Sequence, residues 1–370
     1  LSQVSHGEGR MMKKTGLAVI IICLFLLIVS PGLVVADSGL TVLNSDVAAD
    51  FPATLDFSLS ARSDADITDI RLHYKVDRMG FARVISEVYI DHTPAATVEA
   101  EWNWDMRKTG GLPPGSSVEY WWTVEDAGGG QIKTEPARVR FDDNRYEWQG
   151  LTRGMVTVYW YKGDDSFAGK IMDAVEQALG RLAENTGAEL DSPVKLYVYG
   201  SSQDLRGSMI FPQEWTGGVA FTRYGTIAIG ISPGNLDWGS RAIAHELTHL
   251  VVHQVTINPY GDLPSWLDEG LAMYAEGGLE SEFVKLLKNA REKNGLISVR
   301  SLASPFSAFA EESLLAYAES HSLVEYLINN YGQAKMFDLL NTFRQGSSYD
   351  DALLSVYGFD MDGLDALWRK

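Results

Sequence analysis

The stretch His245-Glu246-Leu247-Thr248-His249 decides what fold is expected for the C-terminal half of the chain. Residues i and i+4 of an α-helix lie on one face, one turn apart, so both histidines can bind the same ion. Two imidazoles placed in this way predict a zinc site, with Zn–N distances of about 2.0–2.1 Å. Glu246 follows the first histidine and can reach a metal-activated water without being a ligand. The stretch therefore predicts a helix that carries a metal site and its general base.

The residues on either side of this stretch also favour a helix. Between residues 240 and 255, apolar side chains recur at helical spacing, at Ile243, Leu247, Leu250, Val251 and Val255. The residues Asn-Pro-Tyr-Gly at 258–261 then favour the end of the helix. Because the pattern fixes three positions, it leaves an alternative open, in which both histidines are ordinary surface or core side chains.

A second helix offers the third ligand that a catalytic zinc requires, with one coordination position left for water. Residues 263–274 (LPSWLDEGLAMY) place Pro264 in the first turn of a new helix, with Glu269 about one and a half turns further on. Glu269 is flanked by Trp266, Leu267 and Leu271, which indicates a position on the buried side. We predict that Glu269 is the third ligand; the alternative is a solvated surface glutamate.

His253 is the rival ligand, four residues after His249. It lies eight residues from His245, which is about 12 Å along an unbroken helix and too far for one shared ion. Val252 also stands where the glycine of the H-E-x-x-H-x-x-G-x-x-H pattern would be needed. We therefore expect His253 to be structural or to support the ligands from outside.

The HELTH stretch followed by WLDEGLA at residues 266–272 resembles the gluzincin metallopeptidases, which include thermolysin and the aminopeptidase N-like enzymes. The similarity is greatest to the bacterial peptidase MA-like proteins. The resemblance implies an α+β zincin-like fold, zinc as cofactor and the hydrolysis of peptide bonds. It also implies that His245, His249 and Glu269 bind the metal and that Glu246 is the catalytic base.

Residues 317–327 (YAESHSLVEYL) resemble the helix that supplies a catalytic tyrosine at its start in aminopeptidase N-like enzymes. The resemblance implies that Tyr317 donates a hydrogen bond to the oxyanion of the tetrahedral intermediate. His321, one turn further on, is the alternative donor, and a plain packing role for Tyr317 is also open. Ser320 replaces the glycine of that family, and residues 217–221 (GGVAF) lack the glutamate that binds the substrate amine, so endo- or exopeptidase specificity stays open.

The chain has 370 residues, a formal net charge of −18 and one cysteine, Cys23. An acidic balance of this size argues against nucleic acid or an anionic membrane as a partner. Without Cys23, which lies in the apolar N-terminal segment, the chain has no disulfide, no thiol nucleophile and no thiolate ligand. The chemistry must therefore come from histidines, carboxylates and a metal.

Residues 1–36 are predicted to be a secretory signal. Residues 11–14 (Met-Met-Lys-Lys) are a charged start, residues 16–29 are an apolar core, and residues 34–36 suit cleavage before Asp37. Residues 1–10 are expected to precede the true start at Met11 or Met12. The alternative is an uncleaved membrane anchor, because the apolar run approaches the length of a span, although Pro31 and Gly32 interrupt it. Either way, we expect an exported protein.

Residues 37–145 are predicted to form an all-β domain. Residues 55–61 and 137–141 alternate between apolar and polar, and residues 69–76 and 117–125 are rich in β-formers. Glycine- and proline-rich turns at 110–115 and 128–130 separate them. Short strands at this spacing favour an immunoglobulin- or fibronectin III-like sandwich, which is a candidate for contact with the cell envelope.

Residues 146–370 are predicted to form the α+β peptidase domain. Strands are expected at 156–161 and 194–199, a helix at 167–186, β-type sequence at 219–231 and helices after that. The resemblance implies that an edge strand at residues 221–229 pairs with an extended substrate.

Together these features favour an exported zinc-dependent peptidase that acts on peptides or proteins. Two other functions stay open: a secreted cell-surface binding protein with a non-catalytic zincin scaffold, and a zinc amidase that acts on cell-wall peptides. The peptidase and the amidase would use the same site residues, so these residues cannot separate the two hydrolases. The sequence leaves the oligomeric state unknown.

Overall fold

The computed structural model describes residues 39–213, 216–307 and 310–370. In these residues a β-rich N-terminal region with a curled sheet is followed by a mixed sheet and a largely helical C-terminal region. The predicted secretory signal, residues 1–36 with Cys23, lies outside the described residues. Within the described ranges, no helix is both long and apolar enough to span a membrane.

Strand β2 belongs to both halves of the N-terminal antiparallel sheet. The strands are β1 (Thr41–Asp50), β2 (Thr54–Val76), β3 (Ser86–Tyr89), β4 (Ala95–Asp105), β5 (Ser116–Asp126), β6 (Gln131–Lys133) and β7 (Ala137–Phe141). The first half of β2 pairs with β1 and β4, whereas its second half pairs with β3 and β5. Strands β6 and β7 pair with β5. The partners of β2 change across the register shift between Arg62 and Ile67.

The two halves of this sheet enclose an apolar core, because alternate side chains of each strand face inward. Phe57 on the first half of β2 lies 5.1 Å, centroid to centroid, from Tyr120 on β5. Tyr74 on the second half of β2 lies 4.6 Å from Trp104 on β4. These contacts cross from one half of the sheet to the other and hold the curl closed. The finer assignment to an immunoglobulin- or fibronectin III-like sandwich stays a prediction, as does a domain boundary at residue 145.

Five strands form the second sheet: β8 (Gln149–Arg153), β9 (Val156–Trp160), β10 (Val194–Tyr199), β11 (Gly218–Phe221) and β12 (Thr226–Gly230). Their order is β11-β12-β10-β9-β8, with the three central strands parallel and both edge strands antiparallel. Leu196 and Val198 of β10 face the core under the helices, whereas Tyr197 and Tyr199 face a separate aromatic cluster. The sheet is therefore covered on both faces.

The helices cover one face of this sheet and extend the C-terminal region. They are α1 (Asp165–Thr186), α2 (Ser202–Arg206), α3 (Leu236–Thr256), α4 (Ser265–Glu276), α5 (Ser281–Glu292), α6 (Val299–Leu302), α7 (Ala310–Tyr331), α8 (Gln333–Arg344), α9 (Tyr349–Tyr357) and α10 (Met361–Trp368). Short 3₁₀ turns lie at Met106–Lys108 and Thr222–Tyr224. Helices α1 and α3 pack on the sheet, α4 packs on α3, and α7 packs on α4.

Helix α4 is fixed between its neighbours by buried apolar side chains and by one glycine. Leu267 and Leu271 are almost fully buried, and burial of such a side chain contributes about 1.5–3 kcal/mol. At Gly270, an added Cβ would lie 2.5 Å from the backbone oxygen of Ser320 on α7. The two helix backbones therefore touch at this point, and a side chain at residue 270 would force them apart.

The N-terminal region packs against the aromatic face of the second sheet. The Tyr199 hydroxyl donates to Asp143 at 3.0 Å, and the Lys195 ammonium donates to the carbonyl oxygen of Gly115 at 2.8 Å. The Trp148 indole donates to the carbonyl oxygen of Asp143 at 2.8 Å. Both regions therefore belong to one compact unit.

Two predicted positions differ from the structure. Helix α7 begins at Ala310, so Tyr317 lies about two turns inside the helix and not at its start. The edge strand is Gly218–Phe221 and not residues 221–229, because the 3₁₀ turn at Thr222–Tyr224 separates it from β12. Strands β11 and β12 are both short and apolar, so periodicity in the sequence could not show which of them lies at the edge.

The buried carboxyl group of Glu319 on α7 should make the stability of the fold depend on pH, independently of the metal site. Its carboxylate is fully buried and accepts the Ile297 N–H at 3.1 Å on both oxygens. Burial raises the pKa of Glu319 to about 7, although the Ile297 hydrogen bond and Arg369 lower it; Asp365 raises it further. The pKa of this carboxyl is higher in the folded state than in the unfolded state, where it is near 4.5. Its stabilisation of the fold is therefore fully present at pH values below about 4.5 and is lost as pH rises through about 7.

We expect the free energy of unfolding to fall by up to about 3 kcal/mol between pH of about 5 and about 8 through this one group. Glu319→Gln should remove that part of the pH dependence, because the amide stays neutral and can still accept the Ile297 N–H. Urea unfolding at both pH values, with the exposed Glu282→Gln as control, measures the difference. Equal pH dependence in wild type and Glu319→Gln would contradict the assignment.

Candidate metal centre

Helix α3 presents two chemically different faces. Ile243, Leu247, Leu250 and Val251 are buried in the core, which is the face that the apolar spacing predicted. The half-buried His245, Glu246, His249 and His253 line an open cleft on the other side. The core face thus fixes the helix, and the polar face is free to bind a ligand.

Three side chains converge on one point of this cleft. The Nε2 atoms of His245 and His249 lie 3.2 Å apart. One carboxylate oxygen of Glu269 on α4, Oε2, lies 3.5 Å from the first of these nitrogens and 3.4 Å from the second. These three residues form a group whose ligand atoms could hold one metal ion. The structure therefore brings together the three residues that the sequence predicted as ligands.

Two further carboxylates set the orientation of the imidazoles. Glu276 lies 2.8 Å from Nδ1 of His245, and Asp268 lies 3.0 Å from Nδ1 of His249. Because an ionised carboxylate can only accept, each Nδ1 donates its proton outward. The Nε2 lone pairs are then directed at the shared point, which is the usual arrangement around metal-binding histidines.

The donor set fits a tetrahedral ion of the size of zinc. Ligand atoms about 2.0–2.1 Å from a tetrahedral ion lie roughly 3.3–3.4 Å from one another, and the three observed distances are 3.2, 3.4 and 3.5 Å. Oε2 of Glu269 is buried and has no hydrogen-bond partner among the described residues. Only the two imidazoles, 3.5 and 3.4 Å away, compensate this buried oxygen, and a cation at the shared point would satisfy it directly.

The charges of the cluster also favour a cation. Burial lowers the pKa of His245, but the neighbouring Glu269 and Glu276 carboxylates outweigh it and raise the pKa to about 9. Burial raises the pKa of Glu269, but both histidines outweigh it and lower the pKa to about 2. The cluster thus takes up protons when it holds no metal. Since metal ligands must lose those protons, metal binding will release them.

Glu246 lies beside the three ligands without belonging to them. Its carboxylate accepts the backbone N–H of Ala220 on the edge strand β11, and burial raises its pKa. At Gly218, an added Cβ would lie 2.8 Å from Oε1 of Glu246. The strand therefore passes directly over the carboxylate, and a side chain at residue 218 would displace it.

The two candidate oxyanion donors lie in different surroundings. Tyr317 lines the cleft, and its pKa is raised by burial and by the nearby Glu269, Glu246 and Asp268 carboxylates. His321 does not line the cleft: it is 3 % exposed, its ring lies 5.8 Å from that of Tyr274, and it has a backbone hydrogen bond with Gly277. The role of His321 as the alternative donor stays a prediction; its side chain is buried and does not contribute to the cleft walls.

The cleft is large for a simple ion site. Its volume is about 590 Å³, and its walls include residues 216–220 on one side and residues of α3 and α4 on the other. One end of the cleft, near the start of α3, is lined by Trp238, Arg241 and Glu280. The cleft is also lined by Thr222 and His253. The free edge of β11 is therefore exposed along a cleft that can hold an extended chain.

The family model of the Peptidase MA superfamily matches residues 174–370, which is more than half of the chain. The chain belongs to the Peptidase MA superfamily. The matched residues contain all of α3 and α4 and therefore the whole ligand group. No curated protein matches the chain at a significant level.

Several solved structures resemble the Peptidase MA chain at low similarity. An M1 zinc metallopeptidase from Deinococcus radiodurans is 13 % identical, with 90 % of this chain and 94 % of that chain covered and a TM-score of 0.36. OgpA from Akkermansia muciniphila is 9 % identical, covering 28 % and 27 %, with a TM-score of 0.22. A family 56 carbohydrate-binding module, a β-1,3-glucan binding domain, is 20 % identical, covering 27 % and 98 %, with a TM-score of 0.17.

Two carboxylates of the Peptidase MA site, Glu276 and Asp268, were not predicted from the sequence. Glu276 lies seven residues after Glu269, two turns along the same face of α4, and this spacing could have indicated it. Asp268 stands beside Glu269 in the sequence and bridges His249 and His253, at 3.0 Å from each. His253 therefore contacts His249 through Asp268 and does not belong to the group of His245, His249 and Glu269.

Proposed function

We propose that this protein is a zinc-dependent peptidase of the gluzincin type, in which His245, His249 and Glu269 hold the metal. The observation that carries the proposal is the convergence of two Nε2 atoms and one unpartnered carboxylate oxygen within 3.2–3.5 Å. It occurs beside the half-buried Glu246 and a free sheet edge, and membership of the Peptidase MA superfamily supports it.

The side chains of this site divide the work of hydrolysis between them. A zinc ion held by the three ligands supplies Lewis acidity, which polarises a carbonyl and acidifies water. Glu246 accepts the proton of the attacking water and delivers it to the leaving amine. Asp268 and Glu276 hold the two imidazoles in orientation. The free edge of β11 pairs with the substrate backbone, which aligns the scissile bond.

We assign the stabilisation of the oxyanion to Tyr317, whose hydroxyl donates to the developing charge. Its position on the cleft wall supports this role, in contrast to the buried His321. Tyr317→Phe is expected to lower kcat by about 10²-fold with little change in KM, because the lost hydrogen bond forms only in the transition state. Steady-state kinetics on one peptide will measure both constants. A variant that loses only affinity for substrate would show that Tyr317 binds the ground state.

Removal of the metal tests the proposed function directly. Dialysis against a chelator should abolish the hydrolysis of unfolded casein, and one equivalent of Zn²⁺ should restore it, because three protein ligands bind a single ion. Elemental analysis of the same samples provides the control. Bound zinc with no hydrolysis of casein would instead favour a binding protein or an amidase with narrow substrate specificity.

A further inference from the structure

A second and larger cleft lies between the N-terminal region and the peptidase domain. Its volume is about 1050 Å³; residues 74–84 form one wall, and residues 256–262 lie across from them. It shares Thr222 and His253 with the cleft of the metal site, so the two clefts adjoin at these residues. Their combined size exceeds the roughly 300–1,000 Å³ of a pocket for a small ligand, which indicates a polymeric occupant.

The N-terminal wall of this cleft is a loop fixed to both parts of the protein. The loop follows β2 and leads into β3. The N–H of Asp77 donates to the carbonyl oxygen of Ser117 at 2.9 Å, and the N–H of Met79 donates to that of Arg223 at 2.7 Å. Two large apolar side chains that line the cleft are exposed: Phe81 at 58 % and Val84 at 59 %. They offer contact area to a bound chain.

The charge of this cleft is opposite to that of the whole protein. Its lining contains five basic side chains (Lys75, Arg78, Arg83, Arg138 and Arg223) against three acidic ones (Asp77, Glu119 and Asp262), although the chain carries a net charge of −18. Glu119 already pairs with Lys75 and Arg138. In the described part of the chain, Arg78, Arg83 and Arg223 take part in no ion pair. A basic channel in an acidic surface attracts acidic chains.

The edge strand gives the direction in which a substrate enters this channel. Strand β11 runs from Gly218 to Phe221 and is followed by Thr222, where the interdomain cleft joins. An added strand pairs somewhat more stably in the antiparallel sense. It would then run from the Thr222 end towards the Gly218 end. The residues before the scissile bond therefore occupy the interdomain cleft.

We propose that the interdomain cleft binds the residues on the N-terminal side of the scissile bond of acidic, extended polypeptides. The protein is then an endopeptidase, because the channel continues beyond the metal site where an aminopeptidase would have to end. The inference rests on the proposed peptidase function for the cleavage step, whereas the binding preference can be measured without it. The N-terminal region thereby becomes part of the substrate site.

Binding is measured first, on zinc-loaded Glu246→Gln, by fluorescence anisotropy with labelled, N-acetylated peptides. The peptides have equal length and carry a block of Glu or of Lys in either the N-terminal or the C-terminal half. We expect the peptide with Glu in its N-terminal half to bind about three- to tenfold more tightly than its Lys counterpart. The same exchange in the C-terminal half should have a smaller effect.

Charge reversal in the cleft then tests which residues cause the preference. Arg78→Glu combined with Arg223→Glu should invert the preference, so that the Lys peptide binds more tightly. Arg62→Glu combined with Arg181→Glu makes the same change in net charge on exposed residues outside both clefts and should leave the preference as it was. Equal binding of the Glu and Lys peptides, or equal effects of the two double variants, overturns the assignment of the cleft.

Mass spectrometry of the products from zinc-loaded wild type then tests endo-attack. Internal cuts in the N-acetylated Glu peptide, with the acidic block on the N-terminal side of the cut, support the proposal. Release of single residues from free N-termini, with acetylated peptides left intact, overturns endo-attack. If no peptide is cut but the binding preference persists, the proposed peptidase function fails and endo-attack fails with it, while the cleft stands as a site for acidic polypeptides.

Discussion

Glu246→Gln should lower kcat by about 10²–10⁴-fold, the range expected when a general base is lost, and should leave the zinc content unchanged. Gln has the same size as Glu but cannot accept the proton of the attacking water. Glu246 is not in the ligand group, which consists of His245, His249 and Glu269. This variant is thus expected to bind the metal but to lose peptide hydrolysis. Both kcat and the zinc content should be measured on the same preparation.

A neighbouring acid supplies the matched control. Glu280 also lines the cleft, but its carboxylate is bound to Arg241 at 2.6 Å and lies on the rim. Glu280→Gln makes the same chemical change in the same cleft, and kcat should change far less than in Glu246→Gln. Full activity of Glu246→Gln would refute its role as the base, and an equal loss in both variants would show that the cleft responds to charge alone.

Glu269→Ala should produce the largest loss of zinc affinity among substitutions on α4, because it removes one of three protein ligands and leaves two histidines. The carboxylate is 24 % exposed, so its loss should leave the fold intact. Asp268→Asn is the graded comparison: it keeps all three ligands and weakens only the bond that orients His249. Losing such a support typically costs about 10–100-fold in metal affinity, and Glu269→Ala should exceed that.

Competition with a chromophoric chelator measures both affinities, and circular dichroism checks that each variant is folded. The order of the losses is the decisive result. If Asp268→Asn loses more zinc affinity than Glu269→Ala, then Asp268 and not Glu269 is the third ligand. If Glu269→Ala binds zinc as wild type does, the proposed metal centre is wrong.

The ligand group was accessible from the sequence because all three ligands lie on two consecutive helices. His245 and His249 are one turn apart on α3, and Glu269 follows on α4 after a short connection. Helical periodicity fixes which side chains share a face, so local spacing alone brought the two histidines together. The strand at Val194–Tyr199 was predicted with the observed ends for a similar reason, because a short run of β-formers between turns is a local signal.

Other features depend on contacts between distant parts of the chain. The oxygen of Glu269 meets the two Nε2 atoms where α4 packs on α3, and Gly270 lets the same helix lie against α7, some fifty residues away in the sequence. The burial of His321 and the position of Tyr317 on the cleft wall follow from the same packing of α7. Spacing in the sequence could not separate these two candidates, because both lie on one helix, one turn apart.

The proposed metal ligands and the proposed base follow from local order along the chain, since one helical turn and one short loop are enough to bring these residues together. The cleft beside the loop at residues 77–84 does not follow from local order. It arises where Met79 donates to the backbone of Arg223, a hydrogen bond between residues far apart in the sequence. The proposed ligands and base are therefore encoded in a few neighbouring residues, whereas the two clefts form only after the two sheets have packed together.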